Sequence, residues 1–280
     1  MEQLIENEAS PEKVRILKLP YRLPKLLTEL LDLFKGAIHN KNQSIVTIID
    51  GRSGLGKSTL SFQVGLYCDP NFSLKNVCFT PEQFLEALSN AEKGDVVIFD
   101  EAMLINSRAS MSAINRAIVI AMSMIRSKNI IVIFNINSIF DLDKNLALHR
   151  ADLLLNVYSK GLTDRGRFMA FFKSLDGRNR IKELYLNGKK YYSYAKPKSN
   201  FNTTFSGHFV FNQDEYDAKK DEGIRAFLET DTKFETKDKQ QRDNCILWIR
   251  ENTDKTLQDI ADLAGVSLKT INNILRRHRT

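Results

Sequence analysis

No stretch of this chain stays apolar for the roughly 20 residues that a membrane-spanning helix needs. The opening residues Met1-Glu2-Gln3-Leu4-Ile5-Glu6 are acidic and lack a signal-peptide pattern, so the expectation is a cytoplasmic protein (host cytoplasm if the source is viral) without a membrane segment. Cysteine is scarce. Cys68, Cys78 and Cys245 are odd in number and lack metal-ligand spacing, which fits a reducing compartment and no disulfide framework. What remains is an ordinary soluble composition, 42% hydrophobic over 280 residues, enough for one large domain and a small one.

Charge is present but unevenly placed. The net charge is +7, yet between Tyr158 and Asn200 eleven Lys/Arg face only Asp164, Asp176 and Glu183, so that stretch alone carries +8. A basic surface localised in this way suits a polyanion. Tyr185, Tyr191, Tyr192 and Tyr194 interleave with the basic residues, a mixture able to stack bases beside phosphate contacts.

The organising motif is Asp50-Gly51-Arg52-Ser53-Gly54-Leu55-Gly56-Lys57-Ser58-Thr59. It fits G-x-x-x-x-G-K-[ST], follows an apolar run Ser44–Ile49 that reads as a buried strand, and precedes a helical pattern from Leu60 to Tyr67. Glycines let backbone N–H groups turn inward around phosphate oxygens, and the helix N-terminus adds its partial positive charge. Lys57 is expected to reach the β- and γ-phosphates of ATP, and the Ser58 hydroxyl to ligate Mg²⁺. A second run, Val96–Phe99, ends in Asp100-Glu101. Asp100 is placed to hold Mg²⁺ through water and Glu101 to act as general base on the attacking water.

These residues resemble the P-loop ATPases that carry an additional central strand and a catalytic glutamate, which include RecA-like, AAA+ and FtsK/HerA-type motors. The resemblance implies a polar sensor at the tip of the inserted strand. Asn129–Phe134 is an almost wholly apolar run, and Asn135 is the first choice for the sensor, with Asn137 behind it. It also implies assembly as a homo-oligomeric ring in which a neighbour's arginine acts on the transferring phosphoryl, with Arg108, Arg126 and Arg150 as candidates. The stretch from Ser127 to Tyr158 looks most like FtsK/HerA, Zot-like and viral packaging ATPases, departing from them in having Asn where Gln is frequent at the strand tip.

Around this motif the chain reads as an α/β core with a mostly parallel sheet flanked by helices over 1–158. Pro24 opens a helix with Leu26, Leu27, Leu30, Leu31 and Phe34 on one face, and Thr80-Pro81-Glu82-Gln83 opens another with a capping box. A further helical pattern runs from Ser110 to Ser127, its methionines filling core gaps. Residues 159–229 read as a basic, β-hairpin-rich extension, with Asn187-Gly188 as a hairpin turn and strand-like sequence over Phe201–Phe211. A charged helix follows from Asp214 to Glu229, then a polar linker over 230–243.

Residues 244–280 carry three helical patterns, the last two joined by Ala264-Gly265-Val266, and resemble a helix-turn-helix DNA-binding domain. Ile260, Ala261, Val266, Ile271 and Ile274 form its expected core, supported by a first helix holding Trp248 and Ile249. On the third helix Ser267, Lys269, Thr270, Asn272 and Asn273 would face a major groove, with Arg276, Arg277 and Arg279 near phosphates. The sequence thus points to an ATP-hydrolysing, DNA-associated motor of translocation or packaging type. Its partners would be double-stranded DNA, further copies of the chain and a protein of a DNA-processing or packaging complex. Two other classes stay open: a non-translocating ATP switch such as a helicase or transposase loader or a partition-type protein, and an ATP-controlled transcriptional regulator. A small-molecule kinase is least favoured, because no acceptor pocket or lid signature is present.

Overall fold

The structure, a computed structural model, describes residues 19–100, 120, 125, 127–142, 144–161, 164–174 and 176–278; the side chains of 145, 227–240 and 277–278 are not described. Seven strands form one sheet in the order β2-β3-β4-β1-β5-β6-β7. They are β1 (Ile45–Asp50), β2 (Val77–Cys78), β3 (Val96–Asp100), β4 (Ile131–Ile136), β5 (Leu153–Tyr158), β6 (Arg167–Phe172) and β7 (Phe201–Thr204). β2, β3, β4, β1 and β5 run parallel, and β6 and β7 return antiparallel at one edge.

The central strands are Val/Ile/Leu/Phe-rich and buried on both faces, as a parallel sheet covered by helices requires. Two apolar layers result. One joins β1, β3 and β4 side chains to Phe84, Leu88, Phe140 and Tyr185; the other joins the opposite face to Leu27, Leu31, Leu60 and Phe62. β4 lies between β1 and β3, so the strand of the P-loop and the strand of the Asp100 carboxylate are separated by one inserted strand, as the resemblance implied. Together these features make a P-loop NTPase-like fold.

Helix α1 (Lys25–Lys41) buries Leu27, Leu31 and Ile38, whereas Leu26 of the expected face is 55% exposed. Helix α2 (Lys57–Cys68) follows the P-loop, and α3 (Pro81–Asn90) starts at the expected cap, Thr80 accepting from the Gln83 N–H. The Gln83 side chain, however, accepts from the Phe79 N–H at 2.9 Å instead of closing the expected capping box on Thr80. After β4 the short helix α4 (Lys144–His149) leads into β5. The Ser110–Ser127 helical pattern lies almost wholly outside the described residues.

Three further expectations fail. Asn187-Gly188 does not turn a hairpin but ends helix α5 (Arg180–Gly188), capped by Asn179. Ile181, Leu184, Tyr185 and Gly188 are its buried residues, a spacing of three and four that belongs to a helix. Gly188 is needed for close approach: a Cβ there would lie 2.3 Å from the Ser193 carbonyl oxygen and 2.7 Å from the Phe140 ring. The second failure is the long strand over Phe201–Phe211. Only Phe201–Thr204 pairs with β6, and the rest crosses the P-loop helix as an irregular strap.

The third is the linker. Helix α6 runs unbroken from Gln213 to Asn252, through all of 230–243. The residues after Gly223 contain no proline or further glycine before Asn252, so nothing breaks the helix, and high polarity signals solvation of its sides rather than loss of it. The end of α6 packs with α7 (Leu257–Ala264) and α8 (Leu268–His278) around Ile246, Ile260, Ala261, Ile271 and Ile274. Thr256 closes a capping box with Asp259, and Gly265 adopts φ 62° to end α7. Trp248 is 63% exposed, so Ile246 rather than the tryptophan anchors the first helix of this unit. Among the described residues no helix is long and apolar enough to cross a membrane.

Candidate nucleotide-binding site

The P-loop leaves β1 at Gly51, whose φ of 138° and close packing exclude any side chain: a Cβ would lie 2.2 Å from the carbonyl oxygen of Val157 on β5. Gly54 and Gly56 also take positive φ, the second directly before α2. The loop borders a cavity of about 480 Å³, within the range of small-molecule sites. Residues 53–59 form one wall, and Arg165, Phe205, Tyr216 and Lys220 stand on the other sides.

Lys57 is buried, its ammonium donating to the Gly51 carbonyl at 2.7 Å and to Asn137 Oδ1 at 3.4 Å. Burial lowers its pKa, opposed by the Asp100 and Asp50 carboxylates and aided by Lys220. A phosphate is the group that would restore full favour to this cation. Ser58 Oγ donates to Asp100 Oδ2 at 2.8 Å, and Asp100 Oδ1 is buried with no partner among the described residues. A hydroxyl and a carboxylate with an orphaned oxygen fit a hard divalent cation of the Mg²⁺ type, which takes few protein ligands alongside substrate phosphates.

Asp50, the last residue of β1, is wholly buried beneath the loop. It accepts hydrogen bonds from Asn156 Nδ2 and the Ile139 N–H, both at 2.8 Å, and from the Tyr194 hydroxyl. Burial raises its carboxyl pKa to about 6, against the lowering effect of those donors and of Lys57. Tyr194 thus ties the basic segment to the foot of the P-loop, and Tyr192 does the same to Asp141 at 2.8 Å. Of the four tyrosines expected on that surface, Tyr185 is buried and donates to the Leu142 carbonyl, Tyr194 is committed to Asp50, and Tyr191 is the most exposed at 72%. Lys182, Lys190, Lys196 and Lys198 are exposed, while Arg167 pairs with Asp164 and Arg178 with Glu183.

The sensor candidates separate in space. Asn135 is fully buried behind the loop, donating to Ser61 Oγ at 2.9 Å, whereas Asn137 touches Lys57 itself. Arg150 lies beside Ser44, His149 and Asp152 at the opposite end of β1 from the P-loop. Glu101, Arg108 and Arg126 lie outside the described residues. In the terminal unit, Lys269, Asn272, Asn273 and Arg276 are exposed along α8. Ser267 and Thr270 are joined to each other, the Ser267 hydroxyl accepting the Thr270 N–H at 3.2 Å as a helix cap. The side chain of Arg277 is not described, and Arg279 lies outside the described residues.

The cavity residues beyond the loop were not singled out for the site from the sequence, among them Arg165, Phe205, Tyr216 and Lys220. Phe205 lies against Gly56, 3.2 Å from where a Cβ would stand. The Tyr216 hydroxyl donates to Asp100 Oδ2 at 2.9 Å and lies 3.3 Å from Ser58 Oγ. Burial and the neighbouring Asp100 carboxylate raise its pKa, keeping it a neutral donor. The strap that carries Phe205 is fastened by Gln63, whose amide donates to the carbonyls of Ser206 and His208 at 2.8 Å each. The signal available in the sequence was the aromatic density of 201–216, which reads equally well as strand.

No protein-family model matches the chain, and no curated protein does. Among solved structures, a RuvB point mutant from Thermogota maritima aligns over 90% of this chain and 85% of that one, at 15% identity and a TM-score of 0.34. That likeness is too slight to carry an argument. The α/β P-loop fold stands on the chain's own strand order, loop geometry and Ser58–Asp100 pair.

Proposed function

We propose that this protein is an ATPase that acts on DNA as a translocating or packaging motor, held to its track by the terminal three-helix unit. The observation that carries the nucleotide half is that Lys57 and Ser58 line one cavity while Ser58 Oγ holds Asp100 at 2.8 Å, with β4 inserted between β1 and β3. Bound Mg·ATP supplies a transferable phosphoryl group and a charge-neutralising cation. The amides of residues 53–59 and the Lys57 ammonium orient the phosphates, and Ser58 and Asp100 hold the cation. Glu101, the next residue after β3, takes the proton of the attacking water. Asn137, in contact with Lys57, and Asn135, paired directly with Asp100 across β3 and β4, transmit the state of the outer phosphate. Arg108, Arg126 or Arg150 of a neighbouring copy completes the site in a ring.

The DNA half rests on two surfaces. The exposed Lys269, Asn272, Asn273 and Arg276 on α8 suit a groove, with Arg277 and Arg279 beside them in sequence. The exposed lysines between 182 and 198 suit a phosphate backbone irrespective of sequence.

ATP turnover measured with and without duplex DNA, alongside particle mass in a non-hydrolysable ATP analogue, tests the reading. DNA-stimulated hydrolysis by an oligomer is expected, and Glu101→Gln should keep nucleotide binding while turnover disappears. A monomer indifferent to DNA would overturn the motor. DNA-stimulated turnover that fails to displace a triplex-forming oligonucleotide would leave a non-translocating switch instead.

A further inference from the structure

Helix α6 reaches into the nucleotide site from 158 residues away in sequence. Tyr216, in its first turn, is 4% exposed, and its hydroxyl closes a triangle with the two groups assigned to the cation: 2.9 Å to Asp100 Oδ2, 3.3 Å to Ser58 Oγ, with Ser58 to Asp100 at 2.8 Å. Asp100 Oδ2 therefore already accepts two hydrogen bonds. A cation that takes a Ser58 Oγ lone pair can leave the Ser58 proton on Asp100. One that also takes Oδ2 has to displace the Tyr216 hydroxyl, because both lone pairs of that oxygen are already filled.

The same face of α6 seats the helix on the sheet. The Tyr216 ring packs against Phe62, Phe79 and Phe209 at centroid distances of 5.4–5.6 Å. Lys219 donates to the carbonyls of Leu74 and Val77, and Gly223 lets α6 approach Phe79 so closely that a Cβ would lie 2.6 Å from it. From this seat α6 runs 40 residues, about 60 Å at 1.5 Å per residue, and its far end packs into the terminal three-helix unit through Ile246.

We propose that the Tyr216 hydroxyl and a bound Mg²⁺ compete for the Ser58–Asp100 pair, so that seating of the first turns of α6 and loading of Mg·nucleotide oppose each other. The proposal rests on the nucleotide site described above. Coupling of this kind is reciprocal: Mg·nucleotide loosens the α6 seat, and any partner that draws α6 off its seat tightens Mg·nucleotide binding by the same factor. Tyr216 is a positioning residue, with no contact to the reacting phosphoryl required of it. The terminal unit, joined to the seat by one helix, is thereby informed of the loading state.

Calorimetric binding of a non-hydrolysable ATP analogue, in EDTA and in Mg²⁺, to the full chain and to Tyr216→Phe tests this. The phenylalanine ring keeps the contacts with Phe62, Phe79 and Phe209. The affinity gained on adding Mg²⁺, each protein compared with itself in EDTA, should be about tenfold larger in Tyr216→Phe, the worth of one hydrogen bond to a charged group. Hydrogen exchange gives a second reading that needs no variant: in the wild-type protein, Mg·analogue should speed exchange of the amides over 213–223 relative to analogue in EDTA. An equal or smaller Mg²⁺ gain in Tyr216→Phe, or unchanged exchange over 213–223, overturns the competition. Failure of both proteins to bind the analogue even in EDTA would instead remove the nucleotide site, and the competition with it.

Discussion

Asp50 offers a test of the P-loop's foundation, because its carboxyl is held far from its ordinary titration range by burial alone. In the unfolded chain it ionises near 3.8; in the folded protein it does so at about 6. Between those values the native state binds more protons than the unfolded state, so this group's contribution to stability falls as pH rises. The contribution is fully present below 3.8 and lost once pH passes about 6. At 1.36 kcal/mol per unit the difference comes to about 3 kcal/mol.

Asp50→Asn is neutral throughout and should abolish that slope. The substitution has its own cost, because one acceptor oxygen becomes an amide NH₂ that faces a donor, either Asn156 Nδ2 or the Ile139 N–H and Tyr194 hydroxyl. An unmatched buried pair of that kind costs about 1–3 kcal/mol. Urea unfolding at pH 4, 5, 6 and 7 and constant ionic strength should therefore find the variant less stable by about 1–3 kcal/mol at pH 4. It should gain about 3 kcal/mol on wild type by pH 7. A difference between the two proteins that stays flat with pH would refute the placement of an ionisable carboxylate in the dry foot of the loop.

Two further outcomes follow from the geometry. Gly51→Ala drives a methyl group into the Val157 carbonyl at a φ that alanine resists, so it should destabilise the protein by at least about 2 kcal/mol in urea unfolding and abolish binding of the nucleotide analogue. Ile271→Ala empties the centre of the terminal unit and should cost about 2–5 kcal/mol there; duplex DNA binding measured in rising salt should weaken while ATP turnover without DNA stays unchanged.

The P-loop, its flanking strand and helix, the Asp100 carboxylate and the inserted strand were legible because each is a local pattern whose chemistry permits one arrangement. Gly51 and Gly56 are needed where backbone must turn toward phosphate, and a run such as Ile131–Ile136 survives only between two other strands. The Thr80 cap and the Gly265 turn were legible for the same reason. The misreadings came where a local signal had two physical causes. Gly188 looked like a turn glycine and serves instead to let Phe140 and Ser193 approach. The 230–243 stretch looked too polar to order, yet polarity does not oppose a helix that needs no buried face along its middle.

By itself, then, the sequence determined the phosphate-binding loop, the parallel core around it and the three-helix terminus, since each follows from residues within a few positions of one another. Tertiary structure alone decided what stands opposite the loop: Arg165, Phe205, Tyr216 and Lys220 meet residues 53–59 only because the antiparallel edge and α6 fold back across the sheet. It also decided that Asn137 rather than Asn135 touches Lys57, because two residues along β4 separate a side chain buried against Ser61 from one beyond the strand's end. Contacts closed over 100 or more residues leave no periodic trace, since what selects them is the shape of the surface they complete.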